Sequence, residues 1–169
     1  MAFVKIGTLG EAGGPLMVDR IITNSVTVTI GDAVMTSAGF AALATTGSKV
    51  LGFVESVISA DGLNPKKDGT FLANPDSSYA AASDNQTVAQ VRVRADVSKR
   101  SLYLGAGDAA YGTTAGSNLA GKTFDLADED QIDESTVNTT SQQVYSHGLD
   151  RVQTTLAVVN IFESEVFGV

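Results

Sequence analysis

The chain has 169 residues, a net charge of −8, no cysteine, no tryptophan and a single histidine. This composition excludes disulfides and thiolate metal sites. It also argues against nucleic acid, whose phosphates need clustered Lys and Arg, and against an anionic membrane surface.

The start, MAFVKIGTLGEAGGP, lacks the continuous apolar core of a signal peptide, and no apolar run approaches the roughly 18 residues of a spanning helix. A protein made and kept in the cytosol is expected. Residues 1–24 read as an N-terminal arm, with apolar Phe3, Val4 and Ile6 ahead of a glycine-rich stretch. Such an arm either adds a strand to a neighbour's sheet or is the first strand of its own barrel.

Residues 25–30 alternate: Val26, Val28 and Ile30 face one way, Thr27 and Thr29 the other, as in a half-buried strand. Gly31-Asp32 breaks the strand, because glycine accepts positive φ and aspartate bonds the backbone that follows it. Residues 33–36 and 40–43 form a predicted hairpin around Ala38-Gly39. Residues 50–58 are apolar on both faces and read as a central strand. A polar excursion over 60–85 follows, with a short helical turn expected near 79–82.

Residues 88–97 alternate again, with Arg92 and Arg94 on the polar face, which is either solvated or a subunit contact. Residues 101–104 lead into a second Gly-Asp-Ala at Gly107-Asp108-Ala109. The acidic segment 125–134 reads as a capped helix or a loop rather than a strand. Residues 152–162 form the last strong strand, and Phe167 closes the chain as a candidate contact. Short strands with turn signals between them predict an all-β barrel or sandwich over 25–169. The doubled Gly-Asp-Ala suggests duplicated corners at Gly31-Asp32 and Gly107-Asp108, with half-repeats near 25–97 and 98–169.

No catalytic, cofactor-binding or metal-ligating residue is assigned. Gly105-Ala106-Gly107-Asp108-Ala109-Ala110 matches a dinucleotide fingerprint, but Tyr111-Gly112-Thr113-Thr114 breaks the helix such a site needs. Ser146-His147 lies near Asp150, yet the chain has no nucleophile elbow, and His147-Gly148 reads as a helix end. The acidic cluster lacks the glycine of a calcium loop.

Ile30-Gly31-Asp32-Ala33-Val34, Ala38-Gly39 and Val50-Leu51-Gly52-Phe53-Val54-Glu55 together resemble the small β-barrel proteins of tailed-bacteriophage heads. Val91-Arg92-Val93-Arg94-Ala95 resembles a later strand of that family, and Gly105 to Tyr111 its second turn. The resemblance spans residues 26–111. It implies a capsid decoration protein on the outer surface of the virion. Such a protein binds the expanded head, commonly as a homotrimer, and clamps neighbouring copies of the major capsid protein. Two alternatives stand beside it: a tail-tube or connector subunit, with 60–85 as its stacking loop, and a carbohydrate-binding β-domain.

Overall fold

The structure is a computed structural model that describes residues 2–10, 16–23, 26–58, 65–66, 71–72, 92–108, 119–136, 143–150 and 155–162. Those residues are almost entirely β, as the turn-rich composition requires, with one 3-10 turn at Glu134–Thr136 and no α-helix among them. The helical turn expected at 79–82 lies outside the described residues.

The strands are β1 (Val4–Thr8), β2 (Met17–Ile21), β3 (Thr27–Val28), β4 (Ala33–Ser37), β5 (Phe40–Leu43), β6 (Gly52–Ile58), β7 (Pro65–Lys66), β8 (Phe71–Leu72), β9 (Arg92–Asp96), β10 (Ser101–Gly107), β11 (Lys122–Asp128), β12 (Gln131–Asp133), β13 (Val144–Leu149) and β14 (Leu156–Ile161). The first unit is the sheet β2-β9-β6-β4-β5, with β7 added to β6. Its two outer strands meet at one parallel bridge, Ile22 to Ala41, where Thr23 N–H donates to the Ala41 carbonyl at 2.9 Å. The second unit runs β10-β14-β13-β11-β12 and closes into a five-stranded barrel through the parallel pair β12–β10. There Gly107 pairs with Ile132, and Asp108 N–H donates to the Ile132 carbonyl at 3.0 Å.

The two circuits are the same. In each, an entry strand is followed by a hairpin and two antiparallel strands, and the entry strand lies parallel to the second arm of the hairpin. The registers agree in detail. A bulge between Val54 and Ser56 leaves Glu55 extra in β6, and one between Ser146 and Gly148 leaves His147 extra in β13. Before the hairpin, Gly31 N–H donates to Val54 O at 2.7 Å in the first unit, and Gly121 N–H to Ser146 O at 2.8 Å in the second. Both glycines have positive φ, +97° and +78°. The structural counterpart of Gly31 is therefore Gly121. Gly107, at the end of β10, matches Ile22 instead. The doubled Gly-Asp-Ala does not mark equivalent corners, because its first copy precedes a hairpin and its second ends an entry strand.

Three other expectations are corrected. Residues 17–21 of the predicted arm belong to the first unit, since Met17 to Ile21 pair with β9. Residues 4–8 form a separate strand, and it pairs with the chain's own β10. The acidic segment is a hairpin, not a helix or loop. Phe124 and Leu126 alternate inward on β11 opposite Ile132, and Asp128, Glu129 and Asp130 sit at the turn. Alternation decided the structure there, and three of the six acidic residues went to the turn. His147-Gly148 is likewise strand and bulge rather than a helix end.

Elsewhere the pattern reads through. Ala38 and Gly39 both have positive φ, 48° and 89°, as a two-residue hairpin turn requires. β6 sits between β9 and β4, at the centre of its sheet. On β9, Val93 and Ala95 point inward while Arg92 and Arg94 face solvent. The first unit's interior is a cluster around Val34, Leu51, Val54, Val57 and Val93. A second core fills the barrel and continues into the joint, where Phe53, Ala33 and Val50 of the first unit pack with Phe3, Tyr103 and Ile132. Gln143, 1% exposed, ties the units at the opposite side. Its Oε1 accepts from Leu126 N–H at 2.7 Å, and its Nε2 donates to the Thr45 carbonyl at 3.0 Å and to the Ser48 carbonyl.

Candidate functional site

The densest polar constellation lies where β1 crosses the joint. Asp96 ends β9 and is fully buried. Its Oδ2 accepts from Lys5 Nζ at 2.6 Å, Ser101 Oγ at 2.5 Å and Tyr103 Oη at 3.0 Å. Its Oδ1 accepts from Ser98 N–H at 2.9 Å. Lys5 also reaches Glu55 at 3.0 Å, and Tyr103 Oη, whose single proton is shared with the nearer Asp96, lies 3.2 Å from Glu55 Oε1. Burial works against the Lys5 charge, but the hydrogen bonds and charges of Asp96 and Glu55 outweigh it and hold the amine's pKa above its usual value. Burial, then the neighbouring carboxylates, push the Tyr103 phenol up as well, so it stays a donor.

Four donors saturate the Asp96 carboxylate, which makes it an anchor. Beside it, three rings stack in sequence: Phe3 against Phe53 at 4.7 Å between centroids, and Phe53 against Tyr103 at 4.3 Å. Phe3 is 3% exposed, which corrects its reading as an outward contact. The strand that carries Phe3 and Lys5 inward carries Val4 and Ile6 outward, 49% and 48% exposed. Nothing in the sequence marks Lys5 as the counter-ion of Asp96, which lies 91 residues away. The one available signal was Asp96 itself, the charged residue on a face otherwise filled by arginines.

The predicted corner residues lie apart. Asp32, 5% exposed, accepts from Thr29 N–H at 2.6 Å. Burial, opposed by that bond and reinforced by Glu129 and Asp130, raises its pKa to about 6. It sits where the Ala33 N–H bonds the Glu129 carbonyl at 2.7 Å across the joint. Gly107 and Asp108 are at the barrel's closure. Arg94 binds Asp19 bidentately, Nε at 2.8 Å and Nη2 at 2.9 Å, on the first unit's outer surface; Arg92 is exposed on the same strand. Phe167 lies outside the described residues.

The outer face of the second unit gathers further groups that the sequence reading did not connect. His147 Nε2 lies 2.8 Å from Asn160 Oδ1, and Tyr145 packs edge-on against His147 and parallel to Phe162. Ser146 is buried, and its Oγ accepts from Gly148 N–H at 3.1 Å, so the expected Ser-His neighbourhood is strand geometry. Among the described residues, no group of His, Asp and Glu is placed to hold a metal ion, and no helix is long and apolar enough to cross a membrane. No protein-family model matches the chain, and no curated protein or solved structure matches it either.

Proposed function

We propose that this chain is a structural virion protein that binds the outer surface of a bacteriophage capsid, as a homotrimer, and stabilises the expanded head by clamping neighbouring major capsid subunits. What supports this reading most is that three of the stretches carrying the resemblance fold together: residues 33–43, 52–58 and 92–96 supply four of the five strands of the first unit, β2 being the fifth, while Gly105 to Gly107 end β10 of the second unit. The mechanism is linkage: a ligand that binds only the assembled shell stabilises that shell by mass action, and every added copy adds another cross-link.

The test mixes purified chain with expanded heads that lack it. Co-sedimentation, together with a higher temperature of shell disruption, is expected. A chain that stays in the supernatant sinks the proposal. A chain that instead stacks into tubes on its own moves it to the tail.

A further inference from the structure

Two ion pairs of the first unit differ in kind. Arg94–Asp19 lies in solvent, with side chains 49% and 39% exposed, whereas Lys5 meets a carboxylate, Asp96, that is fully buried. A buried charge pair is costly to keep, and a reaction that removes both charges relieves that cost. Lysine and aspartate have one such reaction: an amine and a carboxyl condense to an amide and water. Groups held in contact and in orientation react as if at about 10⁵–10⁸ M. Lys5 Nζ is held 2.6 Å from Asp96 Oδ2.

The neighbours supply what the condensation needs. Glu55 Oε1 lies 3.0 Å from Lys5 Nζ. Tyr103 Oη lies 3.2 Å from that same Oε1 and 3.0 Å from Asp96 Oδ2. Together they make a proton relay from the nitrogen to the oxygen that must leave. Ser101 Oγ is a second donor to Oδ2, at 2.5 Å. Ser98 N–H, 2.9 Å from Oδ1, faces the oxygen that stays, where charge develops during attack. The Phe3–Phe53–Tyr103 stack walls the pair and limits the water that would reverse the step.

We infer that Lys5 and Asp96 become joined by an amide bond that the chain forms on its own, with Glu55 as the proton acceptor. The pair starts as ammonium and carboxylate. One proton crosses from Nζ to Oδ2, which gives a neutral amine and a neutral carboxyl. The nitrogen lone pair attacks Asp96 Cγ. Glu55 takes a second proton from that nitrogen and passes it through Tyr103 Oη to Oδ2. The Cγ–Oδ2 bond breaks, and Oδ2 leaves as water. One hydrogen stays on the amide nitrogen, Glu55 and Tyr103 end as they began, and no oxidant or co-reactant enters. Asp96 and Glu55 hold the Lys5 proton tightly, so the first transfer is uphill. The bond therefore forms slowly, once per chain, after folding. It fastens β1 to β9 and closes residues 5–96 into a ring, which restrains the unfolded chain as a disulfide would, in a sequence without cysteine.

The inference is independent of the capsid reading. The experiment is mass spectrometry of the purified full chain after trypsin digestion, directly after synthesis and after long incubation in neutral buffer. The expected product is a peptide ending at Arg20, uncut after Lys5, joined to residues 95–99 and lighter than the two together by one water. Its fraction should grow with incubation. Glu55→Gln removes the proton acceptor and is expected to link about a hundredfold more slowly. Lys5→Arg keeps the charge on a group that stays protonated; it should give no linked peptide and melt at a lower temperature than the wild type. A wild type that yields only unlinked peptides after incubation overturns the inference, whatever the variants do. A Glu55→Gln chain that links as fast as the wild type overturns the role of Glu55.

Discussion

The two units run the same circuit of five strands and treat their outer faces in opposite ways. The first buries a charged and aromatic patch, Phe53, Glu55 and Asp96, under β1 and Tyr103. It leaves an ion pair, Asp19–Arg94, in solvent. The second leaves His147 exposed with Tyr145 and Asn160 half-buried beside it, and sets a half-buried Leu104 against Val158 on the equivalent face. Strand order and register are therefore compatible with either chemistry on that face. What decides it is the element that comes to lie there.

The comparison can be broken most forcefully at its aromatic position. Phe53→Ala removes the middle ring of a buried stack and should cost about 4 kcal/mol in urea unfolding. Tyr145→Ala, at the matching half-buried position, should cost about 1 kcal/mol. Equal losses would mean that the two faces are not differently covered. Lys5→Met leaves the Asp96 carboxylate buried without its ammonium and should cost about 3 kcal/mol. If stability is unchanged, β1 is not held by that pair.

The corner glycines sharpen the contrast. A Cβ on Gly31 would collide with the Phe3 carbonyl, whereas one on Gly121 would only touch Tyr145 Oη at 3.7 Å. Both substitutions carry the positive-φ penalty of about 1 kcal/mol. Gly31→Ala should therefore lose about 3 kcal/mol, the excess being the clash with β1. Similar losses at the two sites would place β1 elsewhere.

Asp32 gives a pH test of the joint. Its folded pKa is raised from 3.8 to about 6, so the folded state binds its proton more tightly than the unfolded chain does. Its favourable contribution is complete below 3.8 and is lost as the pH rises through about 6, a change of order 3 kcal/mol. Asp32→Asn should flatten the pH dependence of the unfolding midpoint across that window; a slope that persists would assign it to other carboxylates. The smallest effect is at the surface. Arg94→Ala breaks an ion pair whose side chains are 49% and 39% exposed, and it should lower the unfolding midpoint least of all these changes, the difference shrinking further in high salt.

Much of the strand content was legible because alternation is local. Val93 and Ala95 against Arg92 and Arg94, and the Ala38-Gly39 turn, announce themselves within a few residues. The acidic hairpin was not legible. Asp125, Asp128 and Asp130 dominate the composition there and hide the inward pair Phe124 and Leu126. The repetition was also obscured, for a more general reason. Equivalent positions share backbone tasks, not side chains: Gly31 and Gly121 match, but Asp19 and Leu104, or Glu55 and His147, do not resemble each other. The repeated Gly-Asp-Ala drew attention to the wrong pair of positions. The anchor at Asp96 depends on residues far apart along the chain, and no window of sequence contains both partners.

That distance has a kinetic consequence. Among the described strands β1 pairs with β10 alone, so during synthesis it lacks that partner until residues 101–104 have followed. Until then Phe53 and Asp96 of the first unit lack their cover. Non-local closures of this kind slow folding and expose strand edges while they wait. A fragment that ends at residue 97 would keep every strand of the first unit, with Phe3 and Lys5, and still lack Tyr103 and the β10 strand that holds β1 in place. It should aggregate where the full chain does not.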